Sequence, residues 1–466
     1  MDYINSVLTP ISDFIYVYIL IALLIFCGVY FTAITKFSQI RFFPEALRSI
    51  NERPKGGKVS SFQALMICTA SKVGTANIAG VATAVVIGGP GAMFWMWIMA
   101  VIGSASSMAE STLAQIYKVK SKDGKSFVGG PAYYIEKAFG NKKISMIFSS
   151  LFVFCFLFGF NALQAHNMSS SLKYYIPNYE NTIWPYVVGI VLASVVSFVV
   201  FGGMKRIGFV SSYLVPAMAS IYILAGLYII LTNFSKIPDA FSAILSSAFN
   251  FKSIFGGMSG SVLLIGIKRG LLSNEAGMGS APNAAASADT SHPAKQGIAQ
   301  ILSVFIDTIL ICSTSAFILL LSGVDLNSSL SGMPLMQKAL ESQLGIWGVH
   351  FITLSVTAFA FSAIIGNFGL SEPNIMFIKD SPKLSNTLRL LGIFSIIFGC
   401  VATASVAWNL ADISMAFIAI VNIITILKLS KRYKACLDDY IKQRKENKEP
   451  VFKAEDCGIT DTTLWK

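Results

Sequence analysis

The chain has 466 residues, 54% of them hydrophobic and only 13% charged, with a mean hydropathy of +0.64 and a net charge of +12. Soluble domains carry roughly a quarter charged residues, so the composition excludes an ordinary soluble protein and implies one embedded in a bilayer. No stretch outside the apolar runs is long enough for a large soluble domain.

No Lys or Arg precedes Lys36, so the first apolar run has no basic leader and reads as a true span rather than a cleaved signal. Runs long enough to cross a membrane lie near 14–35, 62–87, 90–115, 144–171, 184–201, 207–232, 255–272, 296–322, 348–378, 387–405 and 410–429, eleven in all. Segments 37–50 and 236–252 read as amphipathic helices on the membrane surface. The expected organisation is a transmembrane domain over 1–432 and a cytoplasmic C-terminal tail over 433–466, solvated and mobile.

The charges are consistent with that map. With the N-terminus outside, 31 of the 36 Lys and Arg fall in cytoplasmic connections and the tail, four fall outside, and Lys72 is left in mid-span. This obeys the positive-inside rule, so the +12 is a matter of topology and no nucleic-acid partner is expected. The expectation is a multi-pass plasma-membrane protein with its C-terminus in the cytoplasm. Five of the seven cysteines sit in apolar segments, and no spacing suggests a disulfide framework or a metal site.

The stretch "TASKVGTANIAGVATAVVIGGPG" (69–91) sets Ser71, Lys72, Gly74, Thr75 and Asn77 in the middle of an apolar run. Lipid cannot satisfy the backbone of a broken helix, so such a break must line protein or a water-filled cavity. Free N–H groups at a half-helix N-terminus attract a carboxylate. Free carbonyls at the facing C-terminus suit a hard cation such as sodium. With the first span set aside, ten remain, and the sixth of them (255–272) opens with Gly256, Gly257 and Gly260. Two halves of five spans, each starting with an interrupted helix and running in opposite directions, form the pattern of an inverted repeat. Close helix packing accounts for the glycines near 256 equally well. It does not account for Ser71, Lys72, Thr75 and Asn77 together.

A cation in mid-span costs about 3 kcal/mol or more. Lys72 therefore reads either as a charge that modulates or partly replaces a coupling cation, or as a brace paired with an acid or with helix carbonyls. Glu110 and Asp307 are intramembrane acids, candidates for coupling or for a structural network with Lys72, Lys268 or Arg269. "SNEAGMGSAPNAA", carrying Asn274 and Glu275, reads as an ordered gate or cap at the inner end of its span.

Two long motifs, "VGTANIAGVATAVVIGGPGAMFWMW" (73–97) and "KRGLLSNEAGMGSAPNAAA" (268–286), closely resemble signatures of the alanine-or-glycine:cation (sodium:alanine) symporter family. "GGPAYYIEKAFG" (129–140) and "FGFNALQAHN" (158–167) resemble it too, and the similarity runs from about residue 10 to 430. The resemblance implies an all-α integral membrane transporter of eleven transmembrane helices. One extra N-terminal helix would precede a 5+5 inverted-repeat, leucine-transporter-like core with broken first and sixth core helices. It implies sodium-coupled uptake of small neutral amino acids. "ASKVGTANIAG" and "FAFSAIIGN" look closer to the branch of AlsT-like carriers, where glutamine is also a type of substrate.

The family's roles carry over by position. Gly74, Thr75, Ala76 and Asn77 would receive the substrate carboxylate on backbone N–H groups, and Gln164 would touch substrate. Gly257, Met258 and Val262 would face its ammonium and side chain. Sodium would take the carbonyls of Ala70, Val73 and Phe359 and the hydroxyl of Ser362. Two departures stand out. Ala363 removes one side-chain sodium ligand, and Asn367 replaces an aromatic wall found in the other branch.

The expected partners are a small neutral amino acid, a sodium ion as coupling ion and the lipid bilayer, with no further cofactor and a monomeric chain. A channel would require rings of charge or carbonyls, and an enzyme would require a motif such as HExxH, a P-loop or an activated nucleophile. The sequence offers neither. The alternative left open by Lys72 and Ala363 is a proton-coupled or sodium-independent amino-acid carrier.

Overall fold

Backbone groups in a bilayer must be satisfied within their own segment, so the long apolar runs fold as helices. The computed structural model of the chain describes residues 10–52, 59–121, 124, 126–250, 261–328 and 330–465. In chain order, α1 spans Pro10–Ile34. The second run is split into α2 (Ser61–Lys72) and α3 (Ala79–Gly88). α4 (Ala92–Ile116) and α5 (Lys142–Tyr174) follow. Then come α6 (Trp184–Val200), α7 (Gly203–Thr232) and the short α8 (Val262–Asn274). α9 (Pro293–Leu321), α10 (Ile346–Ile378), α11 (Pro382–Val401) and α12 (Ala404–Lys428) complete the bundle, and α13 (Ser430–Lys445) lies beyond it.

Among the described residues, eight helices are long and apolar enough to cross a membrane, and the bent pair of α2 and α3 makes a ninth. α6 and α8 are shorter. The expected interruption at Gly256, Gly257 and Gly260 falls outside the described residues.

The chain bends by 62° between α2 and the turn leading into α3. A second interruption follows α8. Asn274 ends that helix, Glu275 takes a left-handed φ of 52°, Gly277 and Gly279 have φ of 82° and 84°, and a short helix resumes at Ala281–Ala285. Three ties set the two broken helices side by side. The Asp289 N–H donates to the Val59 carbonyl at 3.1 Å before α2 starts. Ser71 reaches Glu275 at 3.4 Å in the middle. At the far end, a Cβ on Gly88 would lie 3.0 Å from Ile265. The two chains therefore run in opposite directions with their breaks at one level.

This corrects two expectations. The motif read as a cap at the inner end of its span is itself a helix break, level with the first. Lys268 and Arg269, counted with the cytoplasmic charges, sit instead on the half of α8 that points away from the tail.

α4 and α9 pack most intimately. A Cβ on Gly297 would stand 2.1 Å from the Thr112 hydroxyl and 2.5 Å from the Met108 carbonyl, so only glycine permits the approach.

The tail also differs from expectation. α13 and the segment after it fold back onto the connections that precede α2 and α9 and follow α4, at what is here termed the basic end. Phe452 N–H donates to the Ser291 carbonyl at 3.0 Å, and Trp465 Nε1 donates to the Gln115 carbonyl at 2.7 Å. Arg432 pairs with Asp461 at 2.8 Å. Phe452, Ala454 and Ile459 are buried. These few apolar side chains among many charges give the tail a face to dock.

Candidate functional site

The last regular bond of α2 joins Val73 N–H to the Thr69 carbonyl at 2.8 Å. Gly74 N–H then turns back to Lys72 O at 2.8 Å, and Asn77 N–H closes on Gly74 O at 3.2 Å. Thr75 N–H leaves the backbone altogether and donates to Gln164 Oε1 at 2.7 Å. The carbonyls of Ala70, Ser71 and Val73 thereby lose their i+4 donors, and negative ends of dipoles gather at the break.

The Thr75 hydroxyl also donates to Gln164 Oε1, at 2.8 Å, while Asn167 Nδ2 donates to Thr75 Oγ1 at 2.9 Å. The Gln164 oxygen thus receives two converging donors, as a carboxylate oxygen would. Gly74 makes this possible, since a Cβ there would lie 2.5 Å from Gln164 Nε2. Ala76 and Asn77 are buried in the same turn.

α10 meets the break from another side. A Cβ on Gly366 would lie 2.6 Å from Ser71 N and 3.0 Å from the Ala70 carbonyl carbon. Ser362, one turn earlier on the same face, is fully buried and its hydroxyl has no protein partner. With the released carbonyls of Ala70 and Val73, it makes an oxygen-rich corner suited to a hard cation. Phe359 is buried a turn further on, its ring packed on Tyr222 at 5.5 Å. Asn367 takes the Ser71 hydroxyl at 2.6 Å and donates to Asn161 Oδ1 at 3.0 Å, so it ties α2 to α5.

The second break is held by Glu110. Its carboxylate accepts the N–H of Gly277 at 3.3 Å, that of Gly279 at 3.1 Å and Asn422 Nδ2 at 2.7 Å. Asn274 Oδ1 accepts Ala276 N–H at 3.0 Å. Glu110 and Asn274 therefore brace exposed backbone. Glu275 receives Ser71 through one oxygen, and its Oε2 has no partner.

Asp307 sits in a π-helical stretch of α9, Phe305–Cys312, the kind of local widening that recurs at functional sites. It accepts the Asn77 side-chain amide, the Ser273 hydroxyl and, at 2.9 Å, the Thr308 hydroxyl. It thus links the first break to α8. Lys72 donates to the Ser303 hydroxyl at 3.0 Å.

Of the residues expected to bind substrate, Gly74, Thr75, Ala76, Asn77, Gln164 and Asn367 come together. Gly257 and Met258 lie outside the described residues. Val262 does not join them. It packs with Ala84, Ala92 and Ile265 at the start of α8, about 18 Å along the helix from the second break at 1.5 Å per residue.

Lys268 and Arg269 pair neither with Glu110 nor with Asp307. Both face Asp412 on α12, at 2.9 and 3.5 Å, and the Arg269 guanidinium stacks on Trp408 at 4.0 Å. The sequence reading passed over Asp412, although an acid inside an apolar run is itself a signal. It also passed over Asn161 and Asn167, which recur at intervals of three with Gln164 along one side of α5.

This arrangement of helices is shared with a solved structure of the leucine-transporter-like fold. The crystal structure of MhsT in complex with L-phenylalanine superposes with a TM-score of 0.57, covering 89% of this chain and 95% of that one at 16% identity. Within that class, residues 1–454 match the sodium:alanine symporter family, to which the chain belongs. It is similar to the amino-acid carrier protein AlsT of Bacillus subtilis (strain 168), at 44% identity over 100% of this chain and 98% of the relative. It is similar also to the probable sodium/glutamine symporter GlnT of the same organism, at 43% identity over 95% and 91%. The chain is an amino-acid transporter and not an enzyme.

Proposed function

We propose that the chain imports small neutral amino acids, alanine and glycine first, together with sodium, by alternating access around the two breaks. The observation that carries this reading is the convergence of the Thr75 N–H and hydroxyl on the Gln164 oxygen. The same donors would take the carboxylate of a zwitterion. The released carbonyls of Ala70 and Val73, with the Phe359 carbonyl and the unpartnered Ser362 hydroxyl, would hold sodium beside it. The facing, opposed breaks support a 5+5 inverted repeat after one extra span, eleven in total. The basic end supports a cytoplasmic C-terminus and an outside N-terminus. The name of the family and those of AlsT and GlnT favour sodium and an amino acid, with glutamine as a further substrate.

Uptake of labelled alanine into proteoliposomes tests the reading. Accumulation driven by an inward sodium gradient and lost in choline is the expected result. Equal uptake in sodium and choline would remove the sodium claim and favour the proton-coupled or sodium-independent carrier. Competition by glycine, serine and glutamine would set the size of the pocket.

A further inference from the structure

α1 leaves Phe14, Tyr18, Phe26 and Val29 exposed, as a span at the rim of a bundle does toward lipid. At the basic end the chain turns a corner. Lys36 and Phe37 take left-handed φ of 54° and 57°, a conformation unfavourable to any residue with a Cβ. The corner is held by Phe37 N–H, which donates to the Thr32 carbonyl at 2.9 Å, and by Gln39 Nε2, which donates to Thr32 Oγ1 at 2.9 Å. Two short helices follow, Ser38–Arg41 and Phe43–Ser49. Their inner side is packed. Ser38, Gln39, Ala46 and Ser49 are buried, and the Phe43 ring meets Phe305 of α9 at 4.8 Å. Their outer side extends the apolar surface of α1 with Phe37, Ile40 and Leu47, which are 57%, 58% and 50% exposed. That spacing sets all three on one helix face.

Charge is sorted between the two sides. Glu45 turns inward, accepting the Tyr440 hydroxyl at 2.9 Å and pairing with Arg444 at 2.9 Å, both on α13. Glu52 pairs with Lys295 at 3.1 Å. Lys36, Arg41 and Arg48 are exposed, and Arg48 keeps only a long contact with Glu45, at 3.6 Å. Arg41 Nη1 folds back to donate to the Lys36 carbonyl at 3.3 Å, so two cations share the corner. Among the described residues, neither has an acid within ion-pair distance. Like charges held together without a counter-charge attract an anion, and a guanidinium grips phosphate oxygens in pairs. The surface helix at the opposite end, Ile237–Ala248, provides the contrast. It exposes Phe241 and Leu245, but its only charge is Asp239, and Lys236 beside it reaches the Leu321 carbonyl at 3.5 Å. An apolar face alone fits any bilayer, whereas one rimmed by bases fits an anionic leaflet.

We propose that the corner of Lys36 and Arg41, with the outer face of Phe43–Ser49, binds an anionic phospholipid, whose phosphate carries no cation of its own. The phosphate sits at the two cations, and Phe37, Ile40 and Leu47 enter the acyl layer beside α1. The bound lipid steadies the helix on which α13 is seated. This holds whichever cation drives transport and whatever the cargo.

Hydrogen exchange of the full chain tests it, in lipid discs of pure phosphatidylcholine and of an equal mixture with phosphatidylglycerol. A ligand that binds the ordered form of a segment slows its exchange in proportion to occupancy, so phosphatidylglycerol should slow the amides of residues 36–49 about tenfold. Residues 237–248 should exchange equally in both discs. Lys36→Gln combined with Arg41→Gln changes two exposed side chains and leaves the packed side intact. Each base near an anionic surface strengthens binding about fivefold, so in this variant the slowing should fall below about twofold. No slowing in the wild type, equal slowing of residues 237–248, or full slowing in the double variant would each overturn the site.

Discussion

At the scale of single residues, the break is held open by exact partners for atoms that a helix would have satisfied. Gly74 has an extended backbone, so its importance is the room it leaves for Gln164 rather than an unusual φ. Gly74→Ala should therefore keep its melting temperature yet raise the KM for alanine about tenfold, a loss of about 1.4 kcal/mol in binding. Glu110 is different, because it accepts two backbone amides at a helix break inside the protein. Glu110→Gln presents an amide N–H to those donors and should cost about 2–3 kcal/mol, seen as a lowered melting temperature in detergent. The sequence made Ser71, Lys72, Thr75 and Asn77 legible because polar groups stand out in an apolar run. It did not reveal that Ser71 would answer to Asn367 or Asn77 to Asp307. Those pairs are 296 and 230 residues apart and exist only once the helices pack.

At the scale of elements, the second break shows what one-dimensional reading loses. Residues 275–280 read as the polar end of a span because polar residues normally mark the way out of the membrane. In the fold they stay inside, since Glu110 and Asn422 supply what water would have supplied. The burial of Lys268 and Arg269 follows from the same shift, and Asp412 becomes their shared counter-charge. Asp412 is 1% exposed, so Asp412→Asn strands two cations and should cost about 3–5 kcal/mol. Thermal unfolding would show the loss, and Asp412→Glu should recover most of it. A wild-type melting temperature for Asp412→Asn would remove this pair as a stabilising contact between α8 and α12.

At the scale of the whole molecule, the docked tail ties the ends of several spans together. Its register was not legible because Phe452, Ile459 and Trp465 are spaced irregularly among charges, with no helical period to follow. His292 stands at this junction beside Asp439 at 3.2 Å. Burial pushes its imidazole down from 6.5 to about 4, against the raising effect of Asp439. The docked form thus prefers neutral histidine, and its stability is complete above about pH 6.5 and declines as the pH falls toward 4. Protease cleavage after Lys445 should accelerate over that window, and His292→Phe should flatten the dependence.

If the proposed site is right, the grip of Thr75 on Gln164 means that the protein carries its own rival for the seat it would offer a guest. An arriving amino acid would then have to evict a carboxamide before it could settle, so that affinity would measure a contest and not a simple filling. A site arranged in this way trades tightness for ease of release, which suits a carrier that must let go on the other side.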